Sequence, residues 1–86
     1  MAMEFRDSVD KHGIPREDTM YAMQHAEVIR GIEGRPGEPG ETFLYIGHPH
    51  AHTERYIEVI ATVTPPRTVV VFHSMPLRSL FTHLLS

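Results

Sequence analysis

The amino-acid sequence predicts an α+β domain with two N-terminal helices, a four-stranded, mostly antiparallel sheet and a C-terminal helix. Three observations predict this class. The segment "RYIEVIATV" alternates apolar residues on one strand face, and "TVVVFHS" is a β-branched run suited to a central strand. The last segment places leucine and phenylalanine at helical spacing from Leu77 to Leu85. Short links between the last three strands indicate an antiparallel meander and therefore the α+β class.

The two N-terminal segments are both predicted to be helices. In "MEFRDSVDKHG", Phe5 and Val9 lie at roughly helical spacing, and Gly13 suits the left-handed position after a helix end. In "IPREDTMYAMQHA", Pro15 suits the first helical position, and the acidic residues that follow complement the positive end of a helix.

The remaining elements are strands and one loop. "EVIRGIE" is a weak edge strand, and "GRPGEPGE" (residues 34–41) is a breaker-rich loop. "TFLYIG" is apolar on both faces, as expected of a strand inside a sheet. With 86 residues and no internal repeat, the chain forms one domain over residues 1–86.

Composition limits the functional classes. The chain has no cysteine, which excludes disulfides, zinc ribbons and thiol nucleophiles and favours the cytoplasm. No apolar run is long enough to span a membrane. The net charge is −3, with nine acidic and five basic residues in positions 1–43 but two and three in positions 44–86. This balance permits only a local basic patch, and the small core makes a homodimer plausible.

The junction "FHSMPLR" between the last strand and the last helix gives the sharpest site hypothesis. Regular alternation puts His73 on the face of Val69 and Val71, and Arg78 lies in the first helical turn, where a cation is least favoured. His73 and Arg78 could together contact one phosphate, polarise a ribose hydroxyl and stabilise the charge of a transition state. The structural alternatives are a hydrogen-bonded core histidine and a solvated arginine.

A second candidate is the histidine-rich loop "GHPHAHTER". His48, His50 and His52 occupy alternate positions and would point the same way if the segment were extended, as a metal site requires. Because Pro49 and a hairpin bend would scatter the rings, an exposed polar loop remains the main alternative. Lys11 and His12 are further candidate ligand contacts, although helix-end electrostatics also accounts for them.

The chain resembles the BrnT-like toxins of bacterial type II toxin–antitoxin modules, within the broader RelE-like group. The resemblance lies in "FRDSVDKHGIPREDTMYAMQHAEVI", in the strands "FLYIG" and "RYIEVIATV", and in the ending "FHSMPLR". In better-known relatives Ile-Ser-Ala-Arg ends the last strand, so the arginine here falls later.

The resemblance implies a RelE-like fold and a metal-independent endoribonuclease that needs no cofactor and is neutralised by an antitoxin protein. His73 would then be the general base or acid, and Arg78 would stabilise charge. Arg55, His48, His50 or Lys11 would position the phosphate of an RNA substrate. Two alternatives remain: a non-catalytic module that dimerises or binds a partner, and a metal-binding domain that uses His48, His50 and His52.

Overall fold

The chain folds as an α+β protein around one five-stranded mixed sheet, in a computed structural model that describes residues 2–34 and 40–85. The strands are β1 (Ala2–Phe5), β2 (Val28–Ile32), β3 (Glu41–Gly47), β4 (Ile57–Thr64) and β5 (Thr68–Pro76). The helices are a first 3-10 helix (Asp7–His12), α1 (Arg16–Gln24) and a C-terminal 3-10 helix (Ser79–Leu85). Most of the loop predicted at residues 34–41 lies outside the described residues.

The sheet order is β1-β5-β4-β3-β2, with β1 parallel to β5 and every other neighbouring pair antiparallel. The predicted architecture of a four-stranded sheet with two N-terminal helices and a C-terminal helix, and with it the RelE-like topology, is therefore wrong. The sheet has a fifth strand, and α1 is the one α-helix among the described residues.

The fifth strand comes from the segment predicted to be the first helix. Met3 and Phe5 are partly buried and alternate with exposed Ala2 and Glu4, which is the two-residue period of a strand. Phe5 and Val9 do pack in the same hydrophobic core, as their spacing suggested. They reach it from different elements, however: Phe5 from β1 and Val9 from the 3-10 helix. Gly13 ends that helix in the predicted left-handed conformation, with φ 73°.

The C-terminal helix also differs from its prediction. The segment is a 3-10 helix, and at its start the Phe81 N–H bonds to the carbonyl of Arg78, three residues earlier. Its apolar side chains therefore do not form the stripe that a period of 3.6 predicts. Leu80 is 59% exposed, and no described residue of this helix is fully buried.

The core lies between the sheet and α1. Val59 and Ala61 of β4, Val69 and Val71 of β5 and Ala22 of α1 are buried there. The opposite sheet face is also covered at Leu44 and Ile46, which are 1% and 0% exposed. No helix in the described ranges is long and apolar enough to cross a bilayer.

Candidate functional site

An irregularity in β5 determines which way His73 points. Ile60 of β4 pairs with His73, but the next residue, Ala61, pairs with Val71, so Phe72 is the extra residue of a β-bulge. Val71 lies on the core face, and so does Ser74, whose hydroxyl bonds to Thr19 of α1 at 2.7 Å. The prediction that His73 shares the face of Val69 and Val71 is therefore wrong, because the bulge moves it to the opposite face.

Glu58 is the centre of the site. It lies in β4, pairs with Met75 of β5, and its side chain is completely buried. Oε1 accepts a hydrogen bond from the backbone N–H of Arg78 at 2.9 Å. Oε2 accepts from Arg78 Nε at 2.9 Å, from Arg78 Nη2 at 2.6 Å and from His73 Nε2 at 2.8 Å. One carboxylate thus positions both predicted catalytic residues.

The electrostatics keep this carboxylate ionised. Burial alone would raise the pKa of Glu58, but the side-chain and backbone hydrogen bonds from Arg78, together with the bond from His73, outweigh burial and lower it. The same hydrogen bond to Glu58 raises the pKa of Arg78. The Arg78 guanidinium also lies 5.3 Å from the centre of the Phe81 ring. Arg78 is therefore held on two sides although 42% of its side chain is exposed.

The ionised carboxylate also selects the tautomer of His73. A carboxylate can only accept hydrogen bonds, so the Nε2 atom that contacts Glu58 must carry a proton. In the neutral ring the lone pair then lies on Nδ1. His73 therefore has the arrangement of a general base that is oriented by a carboxylate.

His73 and Arg78 line a cavity of about 510 Å³ at the edge of the sheet. The first 3-10 helix forms another wall, and Ser8 Oγ fixes it to β5 by donating to the Phe72 carbonyl at 2.6 Å. The polar lining residues are Ser8, Lys11, His12, His73 and Arg78, and the apolar ones come from β4 and β5. The imidazoles of His12 and His73 face each other edge to plane, with centroids 6.1 Å apart. The cavity therefore combines two imidazoles with two permanent cations.

Of the predicted site residues, His73, Arg78 and Lys11 meet in this cavity, whereas Arg55, His48 and His50 do not line it. His48 lies in the β3–β4 connection. Its Nδ1 is 2.7 Å from the Arg55 carbonyl and its Nε2 is 3.1 Å from Glu27. Its ring also stacks on Tyr56, whose hydroxyl donates to Glu27. This group of side chains ties the start of β2 to the β3–β4 connection.

The histidine-rich loop does not assemble a metal site. Bends and turns interrupt residues 49–52, so His48, His50 and His52 do not share one strand face. Across residues 2–34 and 40–85, no group of three or more histidine, aspartate or glutamate side chains could hold a metal ion. The geometry thus gives the metal-binding alternative no support.

Sequence reasoning missed three members of the site: Glu58, Ser8 and the role of His12. Glu58 did leave a signal, because it is a lone carboxylate within the apolar strand "RYIEVIATV" and a buried carboxylate requires partners. His12 follows Lys11 at the end of a helix, where helix electrostatics offered a sufficient explanation. Tertiary structure brings both residues to His73: Glu58 through the pairing of β4 with β5, and His12 through the packing of the first 3-10 helix against β5.

A second cavity, of about 590 Å³, lies at the other end of β4. Phe43, Val63, Pro65 and Pro66 line it, and Glu41 is the one ionisable residue among the lining residues that the structure describes. These described lining residues include no acid–base pair.

No protein-family model, curated protein or solved structure matches this chain. A functional assignment must therefore be argued from the chain's own residues, and the cavity around His73 and Arg78 is the place where they offer chemistry.

Proposed function

We propose that this protein is a metal-independent endoribonuclease of the toxin type, with His73 and Arg78 as catalytic residues. The observation that carries the proposal is the attachment of both side chains to the buried carboxylate of Glu58, at the wall of an open cavity. Cleavage of RNA without a metal requires a base for the ribose 2′-hydroxyl and positive charge for the phosphate. The cavity offers both.

His73 is the general base in this proposal. Glu58 holds the ring in one orientation and stabilises the imidazolium that forms when Nδ1 takes a proton, as the carboxylate does in a catalytic triad. Arg78 keeps further N–H donors after its bonds to Glu58, so the same guanidinium can be anchored on one edge and contact phosphate with the other. Lys11 adds a second cation in the same cavity.

The test is cleavage of a mixed-sequence RNA by the purified protein in excess EDTA. We expect products that end in a 2′,3′-cyclic phosphate and a 5′-hydroxyl, as mass spectrometry would identify. His73→Ala should lower the rate at least about a hundredfold. His83→Ala, which alters an exposed histidine of the C-terminal 3-10 helix, is the matched control and should cleave at the parent rate. Absence of cleavage by the parent protein would refute the ribonuclease function.

In a bacterial cell, we propose that this protein acts in the cytoplasm. We also propose that an antitoxin protein binds it and neutralises its activity. Ile29 on edge strand β2 is 58% exposed and Leu80 is 59% exposed, and each is a single apolar side chain that a partner could cover. Expression of the chain alone should arrest bacterial growth, and Arg78→Ala should relieve the arrest. Equal growth of the two strains would contradict the toxin proposal.

The second candidate is a non-catalytic module that dimerises or binds a partner through β2. The specific observation is that β2 is an edge strand with Ile29 exposed, which leaves one side of its backbone for another strand. The two candidates separate on His73→Ala: loss of growth arrest favours the enzyme, and unchanged arrest favours the binding module.

A further inference from the structure

We infer that His12 is a second catalytic residue, the general acid that protonates the leaving 5′-oxygen. This inference rests on the ribonuclease function proposed above and extends it by assigning the second proton transfer. The main observation behind it is that the imidazole rings of His12 and His73 line the same cavity, with their ring centroids 6.1 Å apart.

The distance suits two contacts to one phosphate group. Hydrogen bonds from imidazole to oxygen are about 2.9 Å long, so rings separated in this way can contact the attacking 2′-oxygen and the leaving 5′-oxygen on the two sides of one phosphorus atom. His12 is exposed, and among the described residues no hydrogen bond links its ring to another side chain. It can therefore adjust to a substrate that His73, fixed on Glu58, holds in place.

The two histidines have different surroundings, which assigns their roles. His73 donates its Nε2 proton to Glu58, which leaves Nδ1 as the atom that can accept a proton from substrate. His12 lines the same cavity and has no carboxylate partner among the lining residues, so it is the imidazole that remains for the second proton transfer. Of His12, Lys11 and Arg78, we assign the acid role to His12, because histidine is the most frequent general acid in enzymes and guanidinium groups are not deprotonated in proteins.

The reaction balances with these two groups. His73 Nδ1 removes the proton from the ribose 2′-hydroxyl, and the 2′-oxygen forms a bond to phosphorus. The bond from phosphorus to the 5′-oxygen breaks, and that oxygen takes a proton from the His12 imidazolium. The products are a 2′,3′-cyclic phosphate and a 5′-hydroxyl, with His73 protonated and His12 neutral. Proton exchange with water returns both rings to their starting states.

The experiment compares two versions of one RNA oligonucleotide, with oxygen or sulfur at the 5′-bridging position of a mapped cleavage site. A thiolate leaves without protonation, so the sulfur substrate does not need a general acid. We expect His12→Ala to lower the rate at least about a hundredfold on the oxygen substrate and less than about tenfold on the sulfur substrate. His73→Ala should slow both substrates, because both need a base.

Two further variants complete the test. Lys11→Ala removes a cation without removing an acid, and it should slow the two substrates by similar factors. His83→Ala should leave both rates unchanged. Urea unfolding of each variant checks that the exposed position 12 tolerates alanine.

The outcomes separate the two proposals. No cleavage of either substrate by the parent protein would overturn both. If the parent cleaves, but His12→Ala cleaves both substrates at the parent rate or slows both equally, the general-acid role of His12 is overturned and the ribonuclease function stands.

Discussion

At the scale of single residues, the buried Glu58 carboxylate contacts two side chains that line the cavity, His73 and Arg78. A buried carboxylate is tolerated only when charged partners satisfy it, and here Arg78 and His73 do so. The removal of this carboxylate should therefore affect both the fold and the geometry of the cavity.

Glu58→Gln should lower the free energy of unfolding by about 2 kcal/mol at pH 7, because a neutral amide cannot replace the charge-assisted bonds to Arg78. The loss is limited because 42% of the Arg78 side chain is exposed and the guanidinium can turn to water. Urea denaturation would measure the difference. Glu54→Gln, at an exposed loop position, is the matched control and should change stability by less than about 0.5 kcal/mol.

The same carboxylate predicts a pH dependence. The folded-state pKa of Glu58 is lowered, so its contribution to stability is complete above the unfolded-state pKa of about 4.3 and is lost as pH falls through the folded-state pKa. The stability difference between the parent and Glu58→Gln should therefore shrink below about pH 4. A difference that stayed constant from pH 7 down to pH 3 would contradict the role assigned to Glu58.

At the scale of elements, contacts of α1 with the sheet fix the framework behind the site. Thr19 of α1 and Ser74 of β5 are both fully buried, and their hydroxyls bond to each other at 2.7 Å. Gly47, the last residue of β3, lies so close to α1 that an added Cβ would be 2.6 Å from the Ala22 carbonyl oxygen.

The hydroxyl pair gives a double-mutant prediction. Ser74→Ala should destabilise the fold by about 1–2 kcal/mol, because it leaves the Thr19 hydroxyl buried without a partner. The double variant Thr19→Val/Ser74→Ala should recover part of that loss, since neither partner then remains unsatisfied. Chemical denaturation of the single and double variants would measure the coupling, and strictly additive effects would contradict it.

The close approach at Gly47 gives a second element-scale prediction. Gly47→Ala should cost about 1–3 kcal/mol, because the obstacle is backbone and cannot rotate away. Gly31→Ala is the matched control on edge strand β2, where the new methyl group would be 4.0 Å from the Phe43 ring. There we expect a neutral or slightly stabilising effect. Thermal unfolding of both variants would show whether the predicted order holds.

Some secondary-structure elements could be predicted from the sequence and others could not. The α1 helix, edge strand β2 and the meander of β3, β4 and β5 were predictable because alternation and breakers specify them locally. Strand β1 was not predictable. It has only four residues, and its partner β5 is distant in sequence, so its alternation is too short to be distinguished from the helix-like spacing of Phe5 and Val9. The C-terminal segment was predicted as an α-helix because its leucines fit a 3.6-residue period, although its turns are tighter.

The site was partly predictable for the same reason. His73 and Arg78 were identified as neighbours because they are close in sequence. Their link through Glu58, and the arrival of Lys11 and His12 at the same cavity, depend on pairings between distant segments. The register shift at Phe72 cannot be read from alternation, which assumes a regular strand.

At the scale of the whole molecule, an acidic chain carries a small cationic cavity. The net charge is −3, yet the cavity holds Lys11 and Arg78 against the single carboxylate of Glu58. An RNA strand would therefore be attracted at one place and repelled by much of the remaining surface.

This charge distribution predicts weakly salt-dependent binding. With one or two phosphates neutralised, the slope of log affinity against log salt concentration should be about −0.7 to −1.4 for single-stranded RNA. A 2′-O-methyl RNA, which cannot be cleaved, would serve as the ligand in fluorescence anisotropy at several KCl concentrations. Lys11→Ala should reduce the slope, and a much steeper slope in the parent would mean that the contact surface extends well beyond the cavity.

The bulge at Phe72 determines which side chains of β5 the cavity receives. If β5 continued from Val71 without the bulge, Phe72 would pair with Ile60 and His73 with Val59. The imidazole would then point at α1, and the Ser74 hydroxyl would lie on the face of Glu58. The chemistry of the cavity is thus encoded in the register of a strand as well as in its residues, and loss of the bulge would erase it while every side chain of the cavity remained in the sequence.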